Sequence, residues 1–147
     1  MKPGNPKLQK LALRLLEHEA TRLGNFNEPV QAIELCCRRL HDRLDRLIGA
    51  GGFRALLNRA LYLAKKKYAW LEGVGIEDHP GSGFKDLREA VKGKKPATVN
   101  EACTLILANV IWLLVTFIGE DITIGLIQEA WPDVRIDIAA SSSKEAN

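Results

Sequence analysis

Ala102-Cys103-Thr104-Leu105-Ile106-Leu107-Ala108-Asn109-Val110-Ile111-Trp112-Leu113-Leu114-Val115-Thr116-Phe117-Ile118 is the stretch that decides the architecture: 17 residues without a charge, of which only Thr104, Asn109 and Thr116 are clearly polar. A segment of this kind is either the innermost helix of a bundle, apolar all round because other helices surround it, or a membrane anchor at the lower limit of spanning length. Lys92, Lys94 and Lys95 before it and Glu120 and Asp121 after it suit both readings. The bundle reading is preferred, because every other helical segment carries an apolar stripe that needs a partner.

Working outward, Thr98-Val99-Asn100-Glu101 matches a capping box, in which the threonine hydroxyl and the glutamate three residues on satisfy each other's free amides. It predicts a central helix over about residues 99–118. Gly119 is expected to end or kink that helix, and Glu120 to Trp131 to continue as a last helix that Pro132 stops. Ile122, Ile124 and Leu126 alternate as in a strand, but Ile122, Leu126, Ile127 and Ala130 share a helical face, so helix is assigned. Val134, Ile136 and Ile138 are expected in an extended tail.

Upstream, Asn5 reads as an N-cap with Pro6 in the first helical position, opening a helix that ends at Gly24 and buries Leu8, Leu11, Ala12, Leu15, Leu16 and Leu23, with Leu13 off the stripe. A second helix is predicted from Pro29 to Ile48. Gly49-Ala50-Gly51-Gly52 then breaks the chain before a third from Phe53 to about Leu71. The break reads as a helix stop and tight turn, since a phosphate loop would follow a strand and end in Gly-Lys-Ser or Gly-Lys-Thr. A loop over Gly73 to Gly83, a short helix from Phe84 to Val91 and a basic linker Lys92-Gly93-Lys94-Lys95-Pro96 complete the chain. The expected fold is all-α: a single-domain helical bundle of about five to six helices over residues 1–138, with a polar flexible tail at 139–147.

With 147 residues, 46% hydrophobic and 27% charged, the chain is one domain's worth and neither disordered nor fibrous. Residues 1–100 hold 19 Lys/Arg against 11 Asp/Glu, a net +8, while residues 101–147 hold 2 against 7, a net −5. Three cysteines, two of them adjacent, do not form the even framework of a secreted domain. Lys10, Arg14 and Glu17 interrupt the first apolar run, which a secretory signal would need unbroken. Reduced thiols in a cytoplasmic protein are the expectation.

Candidate chemistry is sparse. Cys37, His41 and Asp45 stand four apart on one helix face and are the only metal candidates, without the Cys-x-x-Cys pair usual in zinc sites. No cofactor is implied. Cys36, Cys37 and Cys103 lie within helices, where burial raises a thiol pKa, so cysteine catalysis is not expected. Glu77-Asp78 and Glu120-Asp121 are acidic pairs, the first in a loop and the second where a helix dipole favours negative charge.

A non-enzymatic bundle acting through protein association is therefore the functional expectation, as a homo-oligomer or a regulatory or signalling adaptor. Trp70, Trp112, Trp131, Glu120 and Asp121 are its interaction candidates, since tryptophan is enriched in interface hot spots and opposite charges orient partners. Nucleic-acid binding is the alternative, using Arg54, Arg59, Lys65, Lys66, Lys94 and Lys95. Membrane association through Ala102–Ile118 is the second alternative.

Overall fold

The computed structural model describes residues 4–24, 28–77 and 83–136, and among them the chain forms five α-helices, one 3-10 turn and one two-stranded hairpin. In chain order these are α1 (Pro6–Leu23), α2 (Pro29–Lys67), a 3-10 turn (Ala69–Leu71), β1 (Gly75–Ile76), β2 (Phe84–Lys85), α3 (Leu87–Ala90), α4 (Pro96–Ile118) and α5 (Glu120–Ala130). The all-α bundle inferred from the sequence is thus the observed fold. Residues 139–147 and Ile138 lie outside the described residues.

The central helix is where the uncharged stretch put it. Along α4, Ala102, Cys103, Ile106, Leu107, Ala108, Val110, Ile111 and Leu114 are all buried, and α1, α2 and α5 pack around them. The helix is long and apolar enough to cross a membrane by length and composition, yet 61% of its most apolar 18-residue window is covered by the rest of the chain. Its start differs from expectation. Pro96 takes the first helical position, where its fixed φ is already helical and its missing amide costs nothing, so the helix begins before the capping box can act. Lys95 is the cap residue without a side-chain hydrogen bond, and Glu101 instead accepts from the Tyr68 hydroxyl at 3.4 Å.

α1 follows its sequence closely. The Asn5 side chain accepts from the Lys7 amide at 2.8 Å, and Gly24 closes the helix in the left-handed conformation, φ 70°. Leu13 is exposed, as its off-stripe position requires.

The second and third predicted helices are one. α2 runs through Gly51 and Gly52, and only Gly49, at φ 74° and ψ 166°, leaves helical geometry. That backbone region is open to glycine alone, so a single residue makes the kink where four were expected to break the chain. α2 also stops at Lys67 rather than Leu71, because Tyr68 is extended (φ −118°, ψ 92°) and Ala69–Leu71 tighten into the 3-10 turn.

The helix predicted over Phe84–Val91 is corrected as well. Phe84–Lys85 pair antiparallel with Gly75–Ile76, and Asp86 in left-handed geometry (φ 68°) delays helix α3 to Leu87. A Cβ at Gly83 would lie 2.6 Å from Glu34 Cγ, so a larger residue there would have to push the Glu34 side chain aside. Gly119 (φ 93°, ψ 158°) separates α4 from α5, so Ile122–Leu126 are helical and not a strand. The segment after α5 is neither helix nor strand up to Ile136, but it is held to the bundle: Val134 is buried, and Arg14 of α1 donates to the Arg135 carbonyl at 2.9 Å.

Candidate functional site

The metal candidates do not assemble. Cys37 points into the core, Asp45 is exposed, and the His41 ring meets Phe53 edge-on at 5.7 Å with its Nδ1 3.5 Å from Asp42. Among the described residues no group of three or more His, Cys, Asp or Glu is placed to hold a metal ion. Sharing a helix face is insufficient when that face turns from core to solvent along its length.

The three cysteines are free and buried. Burial, reinforced by Glu34, pushes the Cys103 thiol up to about 12. Burial likewise raises Cys36 and Cys37, with neighbouring thiols and Glu19 or Glu34 adding to it. Nucleophilic thiolates are absent from this arrangement at neutral pH. An unfolded thiol titrates near 9, so above that pH the native state holds more protons than the unfolded one and stability falls as pH rises towards about 12. Cys103→Ala is expected to flatten that fall by about 1.4 kcal/mol per pH unit, read from urea midpoints between about pH 9 and 11. Equal slopes for variant and wild type would contradict the assignment.

Trp131 is not a surface residue. It is 0% exposed, and its Nε1 donates to Glu19 Oε2 at 2.8 Å. Glu19, itself 2% exposed, also receives Arg39 Nε at 2.9 Å, with Arg22 at 3.9 Å. Arg39 goes on to donate to the Ala130 carbonyl at 3.0 Å, and Arg43 to the Glu129 carbonyl at 3.3 Å. Two arginines of the pre-kink half of α2 therefore neutralise the carbonyl end of α5, the charge arrangement the helix dipole favours. Arg39 is half-buried there and Arg43 stays exposed, and both are engaged with α5. Position 19 falls on the Ala12, Leu15, Leu16 stripe of α1, which was the available sign that this carboxylate faces inward.

The other tryptophans are half-buried. Trp70 lies edge-on to Tyr68 at 6.1 Å with the Lys94 ammonium 5.6 Å from its ring, and Trp112 packs against the core from α4. Beyond the kink α2 is basic. Arg59 and Lys66 lie 5.2 Å and 4.9 Å from the Tyr62 ring, while Arg54 and Lys65 are half-buried beside them. Lys94 and Lys95 are exposed on the separate turn before α4.

The feature missed from sequence lies between the kink and the end of α4. An apolar groove of about 450 Å³ is lined by Ile48, Gly52, Ala55, Leu56, Arg59, Leu113, Phe117 and Ile118. Phe117 is 70% exposed at its edge, and two more large apolar side chains stand open nearby in the chain, Leu47 at 55% and Ile122 at 51%. Arg59 is the groove's single charge. Gly119 places Glu120, half-buried, and Asp121, exposed, at the start of α5 directly after the groove's last residue. Of the sequence-selected residues, Arg59 thus lines the groove and Glu120 and Asp121 follow its last residue in the chain, whereas Trp70, Lys94 and Lys95 do not line it.

No protein-family model matches the chain, and neither a curated protein nor a solved structure is significantly similar to it.

Proposed function

We propose that this protein works by binding protein through the groove at the α2 kink, without catalysis, in the cytoplasm where its three thiols stay reduced. The observation that carries the reading is Phe117, 70% exposed at the rim of an apolar groove with a single charged wall residue. Leaving such a side chain in water forgoes roughly 1.5–3 kcal/mol of burial, and a rim of this kind is recovered when a partner covers it. Aromatic anchors beside a pocket are the usual centre of interface energetics.

The photo-crosslinker benzoylphenylalanine at position 117 is expected to yield discrete protein adducts, in cell extract or with the purified chain, that the same probe at exposed position 17 does not. Ala55→Glu, which puts a charge in the facing wall, is expected to suppress them. The absence of any discrete adduct at position 117 in both settings would refute the proposal.

A second reading has one observation behind it: between Leu47 and Leu71 the chain holds Arg54, Arg59, Lys65, Lys66 and Lys67 and not one acid. Such a stripe attracts phosphates. Arg59 and Lys66 both sit at the Tyr62 ring, however, so the aromatic face a base would stack on is already taken by cations.

A further inference from the structure

Resting on the protein-binding reading, we infer that the occupant of the groove is a second copy of this chain, related by a two-fold axis passing near Phe117. The argument is charge complementarity around an apolar centre. On one margin of the groove stands Arg59, whose guanidinium contacts the Tyr62 ring and forms no ion pair among the described residues. Just past Ile118, the last lining residue in the chain, α5 begins with Glu120 and Asp121, which also form no ion pair among the described residues. The apolar part is Phe117 and Ile118, with Ile122 one turn further on.

A surface that carries a cation in the groove wall, carboxylates next to its end and an exposed aromatic at its rim has both signs that pairing with a second copy needs. Rotation by half a turn sets each Arg59 against the other copy's Asp121 and Glu120, and the two Phe117 rings against each other's grooves. This is the isologous geometry of a closed dimer, in which every contact occurs twice. The exposed face of α5 supports close approach, because Gly125, the residue one turn beyond Ile122, is exposed and has open space around it. The division of charge along the chain, basic before residue 100 and acidic after it, acquires a local purpose here. An uncharged or purely acidic patch would repel or slide, whereas this one fixes a register.

Sedimentation velocity on the full purified chain tests the inference at concentrations up to about 100 μM. A dimer is expected, and Phe117→Asp is expected to convert it to monomer with an unchanged far-ultraviolet circular dichroism spectrum. Arg59→Glu alone and Asp121→Lys alone are each expected to weaken the dimer about tenfold, because each places like charges opposite one another twice. The combined variant restores both pairs and is expected to return to within about threefold of wild type. A monomeric wild type, a dimer indifferent to Phe117→Asp, or a combined variant no tighter than the single ones overturns the inference. A monomeric wild type that still gives a foreign-protein adduct at position 117 in extract overturns the second copy as occupant and leaves protein binding standing. A monomer that retards a labelled single-stranded oligonucleotide, with no adduct anywhere, removes both.

Discussion

Trp131→Ala is expected to lower the stability of the fold by about 4 kcal/mol, with a fall in melting temperature of roughly 10 °C. The indole is the largest fully buried side chain, so its removal leaves a cavity that the surrounding helices only partly refill. It also strips Glu19 of the hydrogen bond at 2.8 Å, leaving a carboxylate that is 2% exposed with Arg39 as its nearest cation. The two losses separate by substitution. Trp131→Phe keeps most of the volume and removes the donor, for an expected cost of about 1.5 kcal/mol. Arg39→Ala leaves the buried carboxylate without its main counter-charge and frees the Ala130 carbonyl, for about 3 kcal/mol. Urea denaturation of Trp131→Phe, Glu19→Gln and the pair gives the coupling between them, expected at about 1 kcal/mol. A Trp131→Ala variant within about 1 kcal/mol of wild type would show that the indole is not held as described.

Asn109→Asp is expected to cost about 4 kcal/mol or to prevent folding, although it changes one atom group by almost nothing in size. Asn109 sits in the buried middle of α4, and its amide donates to the Ala60 carbonyl of α2 at 3.1 Å. An aspartate there offers no donor at neutral pH and turns a negative oxygen towards a carbonyl oxygen in a site closed to water. The introduced carboxyl holds its proton more tightly folded than unfolded, so relative to wild type the variant recovers as pH falls towards about 4. Asn109→Leu removes the donor while filling the same space, and the Ala60 carbonyl keeps its place in the ladder of α2. Its expected change is within about 1.5 kcal/mol. Thermal melts followed by circular dichroism read both, and equal effects of aspartate and leucine would contradict the assigned hydrogen bond.

The sequence was most legible where one local rule acted alone. Asn5, Pro6 and Gly24 bound α1 because capping and proline geometry need no tertiary help. The uncharged run from Ala102 declared itself as the bundle centre because nothing else could cover the other helices' stripes. Competing rules were less readable. Three glycines in four residues look like a break, yet Gly51 and Gly52 stay in the helix, since packing of Phe53, Leu56 and Leu57 outweighs the modest cost of glycine there. Thr98 and Glu101 fit a capping box, but Pro96 two residues earlier had already started α4.

The candidate site was legible only in its charges. Glu120, Asp121 and Arg59 stand out by type. Phe117 does not, because a helix apolar on every side has no periodicity from which to read which residues outrun their neighbours. Trp131 was misplaced for the converse reason: a tryptophan at a helix end is ordinary at an interface, and only the inward carboxylate of Glu19 reveals that this one is internal.

The bond between Glu19 and Trp131 joins residues 112 apart. At ordinary rates of protein synthesis, roughly 6 to 22 s separate the appearance of the first from that of the second. Throughout that interval the carboxylate of Glu19 lacks its indole, and α4, against which α1 packs, is complete only after residue 118. The hydrogen bond that ties α1 to the residue after α5 can therefore form only once almost the whole of the described fold has been synthesised.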